Sequence, residues 1–144
     1  RAYVAGKYED ILESGFDIDV DIPEEILECK IDTVQFQRVL DNLLGNSMKH
    51  NPVGTKIYVS LSVVKNKYRI IIADNGVGIP KEISENIFSP FIVGDESRNT
   101  KQGSGLGLAI VKTIVEKHGG KIKLNTSDKF LNGEYTTIFE IIIS

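Results

Sequence analysis

Three short stretches of this 144-residue chain hold residue types that chemistry can use. In TVQFQRVLDNLLGNSMKH, a rotation of 100° per residue sets Arg38, Asn42, Asn46 and Lys49 on one stripe. Beside it runs a core stripe of Phe36, Val39, Leu40, Leu43 and Ser47. Asparagine is a poor helix former, so two of them at i and i+4 ask for a reason. Carboxamide oxygens suit Mg2+, which usually keeps several waters and shares phosphate oxygens with a substrate. The stripe spans about 16 Å, enough for a triphosphate. A solvated face with ordinary i,i+4 hydrogen bonding fits the same residues.

The second stretch, IIADNGVGIP, ends a strand pattern on Asp74. An ionised carboxylate only accepts hydrogen bonds and the exocyclic amine of adenine only donates them, so the two are complementary. Gly76 and Gly78 would let backbone lie against a flat ring. Asp-Asn-Gly is equally the chemistry of a plain turn. The third stretch, QGSGLGLAIVKTIVEKHGG, places Gly103, Gly105 and Gly107 at the mouth of a helix pattern. Its spacing is neither the dinucleotide G-x-G-x-x-G nor a loop closed by Gly-Lys-Ser/Thr. Backbone N–H groups and the helix dipole at such a start still favour a bulky anion. A tight structural bend is the alternative.

The elements that must position these residues are legible from period and punctuation. AYVAGKYEDILESG reads as a short helix closed by Gly15, so residues 1–15 are taken as a linker end with a first helix and residues 16–144 as one domain. FDIDVDIP alternates apolar and charged residues, the period of a half-buried strand. Asp32 with Gln35 three residues on is a capping signal for the long helix. KIYVSLSVV and YRIIIAD, joined by KNK, predict an antiparallel hairpin, and Pro80 starts a brief helix to about Ile87. Residues 92–104 are polar and aperiodic, a loop too long for an ordinary connection. The helix from Leu106 stops at Gly119-Gly120, and KIKLNTS and TTIFEIII supply two last strands. Helices and hairpins alternating in blocks predict an α+β fold: a two-layer sandwich with a mixed, mostly antiparallel sheet and helices on one face.

Composition narrows the function classes. A net charge of −3 argues against a nucleic-acid footprint. The single Cys29 excludes an internal disulfide and is expected to be a small buried hydrophobe. No apolar run approaches the roughly 20 residues that cross a bilayer, and no signal-peptide pattern is present. The chain opens on Arg, directly in a helix pattern, and is expected to be a piece of a longer protein.

The order of the segments resembles the ATP-binding domain of sensor histidine kinases, within the superfamily shared with type II topoisomerases, heat-shock chaperones and mismatch-repair proteins. VLDNLLGNSMKHNP (39–52) resembles the N box, DNGVGIP (74–80) the first glycine box, IFSPF (87–91) the F box and GSGLGLAIVK (103–112) the second glycine box. The resemblance runs from about Phe16 to Ile143. It implies that Asn46 coordinates Mg2+ with Asn42 beside it, that Lys49 touches phosphate, and that Asn46 and Lys49 are the catalytic pair. His50 takes the place of a ring near the nucleotide, and Asp74 accepts the adenine amine in a pocket shaped by Gly76 and Gly78. Gly103, Gly105 and Gly107 admit the phosphates, Leu106 and Leu108 anchor the helix behind them, and Thr137 backs Asp74. Residues 92–104 become a lid over ATP, with Arg98 and Lys101 as phosphate partners.

The departures are informative too. Hydrolytic members of the superfamily carry Glu where this chain has Asn42, and Asp41 points about 100° away. The final strand lacks the family's Leu-Pro ending. Neither His50 nor His118 sits in a phosphoacceptor motif, and His118 at a helix end reads as a surface cation. The resemblance therefore implies transfer of the γ-phosphate to a histidine on a separate dimerisation domain of the same protein, with a response regulator downstream. It places the domain in the cytoplasm, in a membrane-anchored parent, with no contact of its own to membrane or nucleic acid. An anti-sigma-factor-type serine kinase and a non-catalytic ATP sensor are the alternatives within the superfamily.

Overall fold

The computed structural model describes residues 2–22, 32–89, 107–125 and 133–143. Its elements are α1 (Ala2–Glu13), β1 (Asp17–Asp21), α2 (Thr33–Lys49), β2 (Lys56–Val64), β3 (Lys67–Asp74), α3 (Lys81–Ser84), α4 (Gly107–Lys117), β4 (Lys121–Asn125) and β5 (Thr137–Ile143). One five-stranded sheet has the order β1-β2-β3-β5-β4. β1 and β2 are parallel and the other three pairings antiparallel, which is the mixed, mostly antiparallel sheet expected. A parallel neighbour needs a crossover, and α2 supplies it between β1 and β2.

Local chemistry sets the ends of these elements. The Asp32 carboxylate accepts the Gln35 N–H at 3.1 Å and so caps α2. Lys65 and Asn66 both have positive φ, the two-residue turn whose twist matches a hairpin, so the turn is tighter than KNK. α1 and α4 stop alike: Phe16 and Gly120 donate back to Ile11 and Val115, and Gly15 and Gly119 to Leu12 and Glu116. This is the cap that a left-handed glycine permits, and it explains both glycine stops.

The helices cover one sheet face. Ile11 of α1, Phe36, Val39, Leu43 and Leu44 of α2, and Val111, Ile114 and Val115 of α4 bury against Ile18, Ile57, Val59, Ile72, Phe139, Ile141 and Ile143. Leu40, expected in the α2 core stripe, is only half-buried, and Leu44 is buried instead. Leu40 still packs on the core, so Leu44 widens the expected α2 stripe, in a helix that packs on both α4 and the sheet. The opposite sheet face carries a smaller cluster in which Tyr58 stacks on Tyr135 over Ile71, Ala73 and Ile138.

His118 is not a surface cation. Its Nε2 accepts the Asp32 N–H at 3.0 Å and its Nδ1 lies 2.8 Å from the Ile114 carbonyl, with the ring edge-on to Phe36. Only the neutral tautomer with hydrogen on Nδ1 satisfies both bonds, so His118 ties the end of α4 to the start of α2.

Candidate functional site

Asp74 is the last residue of β3 and is 3% exposed. In register it faces Ile57 on β2 and Thr137 on β5, and Thr137 is buried on the same face. The Gly76 N–H donates to Asp74 Oδ1 at 3.1 Å, and the side chains of Ser47 and Asn51 also hydrogen-bond the carboxylate. Burial pushes its pKa up from the ordinary 3.8 despite these bonds and the nearby His50. Three donors leave acceptor capacity on two carboxylate oxygens.

The loop after Asp74 is held from three sides. Asn75 exchanges hydrogen bonds with Lys56 at the start of β2, its N–H donating at 3.1 Å and its Oδ1 accepting at 2.7 Å. From the β5 side, Thr136 donates its N–H to the Asp74 carbonyl and its hydroxyl to the Gly76 carbonyl at 2.8 Å. From the end of α2, Asn51 accepts the Val77 N–H at 2.9 Å while its amide donates to the Ser47 carbonyl at 2.7 Å. Gly78 has φ +78°, a backbone that favours glycine.

A second juxtaposition joins α2 to α4. A Cβ on Gly107, the first residue of α4, would stand 3.2 Å from Asn42 Oδ1, so the Asn42 carboxamide lies at the mouth of that helix. Asn42 and Asn46 are half-buried, and Arg38, Lys49 and His50 are exposed. The surrounding protein and then the Lys49 charge lower the His50 pKa, against a smaller pull upward from Asp74. Asp41 pairs with Lys7 of α1 at 3.4 Å. It is the only carboxylate of α2.

Residues 31–143 match the family of histidine kinase-, DNA gyrase B- and HSP90-like ATPases. The chain belongs to this family. It is 40% identical over 112 residues to the sensor histidine kinase YvrG of Bacillus subtilis, covering 78% of this chain and 19% of that relative. It spans 19%, 27% and 12% of the length of three such curated relatives. The catalytic domain of the histidine kinase ThkA, in a nucleotide-free form, superposes with a TM-score of 0.80 at 28% identity, covering 99% of this chain and 89% of that one. ThkA solved with the response regulator protein TrrA superposes at 0.75 and 27% identity, covering 99% and 38%. The fold is that of histidine kinase catalytic domains.

Within this ATPase domain, the fold gathers Asp74, Gly76, Gly78 and Thr137 at one end of the sheet, and it brings Asn42 to Gly107. Asn46 lies on α2 between the two groups, one turn from Asn42 and one from His50, whose N–H caps its carbonyl. Lys49 is the last residue of α2, and Leu108 packs on the core. Arg98, Lys101, Gly103, Gly105 and Leu106, the 92–104 lid and Cys29 lie outside the described residues. Sequence reasoning missed Ser47, Asn51 and Thr136. Ser47 belongs to the expected core stripe; it is buried, but its side chain bonds Asp74. Asn51, before Pro52 and four residues after Ser47, carries the signal of a side chain that closes a helix end.

The donor set also fits a nucleotide-bridged metal. Among the described residues no three His, Cys, Asp or Glu side chains converge. The Asn42 carboxamide at the mouth of α4 and the Asn46 carboxamide one turn further along α2 are half-buried oxygen donors of the kind that suits a hard cation taking its other ligands from phosphate and water.

Proposed function

We propose that the chain is the ATP-binding catalytic domain of a sensor histidine kinase, which passes the γ-phosphate of ATP to a histidine on a separate dimerisation domain of the same protein. The observation that carries this reading is Asp74, a buried carboxylate with spare acceptor capacity at a strand end, above a pinned glycine loop, in a family of ATPases. In this reading Asp74 accepts the exocyclic amine of adenine, Gly76 and Gly78 shape the floor beside it, Thr137 backs it and His50 lies at the rim.

Asn46 holds Mg2+ through its carboxamide oxygen, with Asn42 beside it, and Lys49 contacts phosphate. Mg2+, when bound, neutralises phosphate charge and orients the transferring group. The start of α4 at Gly107 presents backbone N–H groups to the phosphates, with Gly103, Gly105 and Leu106 preceding it, Leu108 anchoring it, and Arg98 and Lys101 contributing from the lid. These residues position and neutralise; the nucleophile is the imidazole of the acceptor domain. The α2 residue that faces Gly107 is Asn42 and not a carboxylate, which favours transfer over hydrolysis. The ThkA–TrrA complex supports a response regulator as the downstream partner. In this reading the domain works in the cytoplasm of a membrane-anchored parent, which the family resemblance supports; no helix among the described residues is long and apolar enough to cross a membrane.

The test is a calorimetric titration with ATP and GTP, with and without Mg2+, followed by labelled-phosphate transfer to a supplied acceptor hairpin. Adenine-selective, Mg2+-sensitive binding with labelling is expected. Equal binding of GTP would remove the adenine assignment, and binding without labelling would leave only a nucleotide sensor.

A further inference from the structure

We propose that Asn51 is the positioning residue that sets the adenine-side loop, and that Gly76 is a glycine because Asn51 fills the space a side chain would need. The two glycines of this loop have different causes. Gly78 lies at φ +78°, where its backbone demands glycine. Gly76 is not in the left-handed region, so its conformation is open to any residue. What forbids a side chain there is Asn51: a Cβ built on Gly76 would overlap the Asn51 carboxamide, which supplies all three nearest atoms.

Asn51 is in turn fixed at both ends of its amide. Nδ2 donates to the Ser47 carbonyl in the last turns of α2, and Oδ1 accepts the Val77 N–H. The same side chain reaches Asp74, which Ser47 and the Gly76 N–H also bond. One carboxamide thus joins the helix that carries Asn46 and Lys49 to the loop that carries Asp74, and its bulk sets how closely Gly76 lies against it. Among the described residues, the charged group that acts on Asp74 is His50, itself beside Lys49. Asn51 acts through Asp74 and the loop; it is a positioning residue.

This inference rests on the adenine assignment of Asp74, and the experiment separates the two. Four proteins are compared: wild type, Asn51→Ala, Gly76→Ala and the double variant, each for ATP affinity, GTP affinity and melting temperature. Asn51→Ala is expected to weaken ATP about tenfold, through loss of a half-buried tether between helix and loop, and to leave GTP unchanged, so the ATP-to-GTP ratio collapses. Gly76→Ala is expected to weaken ATP about thirtyfold in the presence of Asn51, through overpacking. The same substitution should cost less than about threefold on the Asn51→Ala background, a non-additivity expected of coupled neighbours and not of independent sites. Melting temperatures should show the same coupling without nucleotide. Equal costs of Gly76→Ala on both backgrounds would overturn the steric claim. Equal losses of ATP and GTP with a lower melting temperature would reduce Asn51 to a helix-end cap. If wild type failed to prefer ATP over GTP, the adenine assignment would fall, and the melting-temperature cycle alone would decide whether Asn51 dictates Gly76.

Discussion

Replacing Asp74 with asparagine separates recognition from stability, because the two respond in opposite directions. The carboxylate is 3% exposed and the Gly76 N–H already donates to Oδ1. An asparagine there has one oxygen and one NH2. With its oxygen toward Gly76, its NH2 meets the adenine amine; flipped, its NH2 meets the Gly76 N–H. Donor faces donor in either orientation. A lost hydrogen bond to a charged acceptor costs about 1.5–3 kcal/mol and an unsatisfied buried donor about 1–3 kcal/mol more. Together, about 4 kcal/mol, they predict roughly a thousandfold weaker ATP. Stability moves the other way. A folded-state pKa above the ordinary 3.8 means that the fold disfavours the charged carboxylate, so stability is lost as pH rises through that pKa. The amide escapes this loss, and Asp74→Asn is expected to melt at or above wild type at neutral pH. Isothermal titration and a circular-dichroism melt read both quantities. ATP affinity within fivefold of wild type would make Asp74 a loop anchor only, and a melt several degrees lower would refute the argument from burial.

Asn46→Ala is expected to weaken ATP at least about tenfold in Mg2+ and much less in EDTA; equal losses in calorimetry under both conditions would remove Asn46 from the metal. The melting-temperature gap between wild type and Asp74→Asn should close as pH falls through the raised Asp74 pKa, while wild-type ATP affinity falls over the same range; a gap independent of pH would contradict the burial of charge. His118→Ala removes the acceptor of the Asp32 N–H and should lower the melting temperature by about 3–6 °C. ATP affinity should be untouched, because Asp32 and His50 lie about 27 Å apart along α2. Asn42→Glu sets a carboxylate at the mouth of α4, where hydrolytic members of the superfamily carry one, and should raise ATP hydrolysis by about a hundredfold. Retained ATP binding without faster phosphate release would show that a base at this position is not what the domain lacks.

Residues whose partners are near in sequence were legible. Asp32 caps Gln35 three residues on, DIDVD alternates because one face of β1 is buried, and the glycine stops of α1 and α4 follow from helix-end backbone alone. The residues proposed to meet a ligand, Asp74 and the asparagines, stand out by their chemistry before any fold is known. What failed to show were residues that serve other residues. His118 reads by local rule as a cation at a helix end, yet its Nε2 accepts an N–H 86 positions away in sequence, and that tertiary bond requires it to be neutral. Asn51 looks like turn punctuation before Pro52, and its role exists only because β3 ends beside the last turn of α2.

Gly76 shows the same division within a single residue. Its place in Asp-Asn-Gly suggests a backbone need, which the structure assigns to Gly78 instead. The reason for Gly76 lies in the Asn51 side chain, 25 positions earlier in the chain. A motif can thus be read correctly as a unit while the physical cause differs from glycine to glycine. A substitution that respects the backbone conformation at Gly76 will still fail there unless Asn51 is made smaller with it.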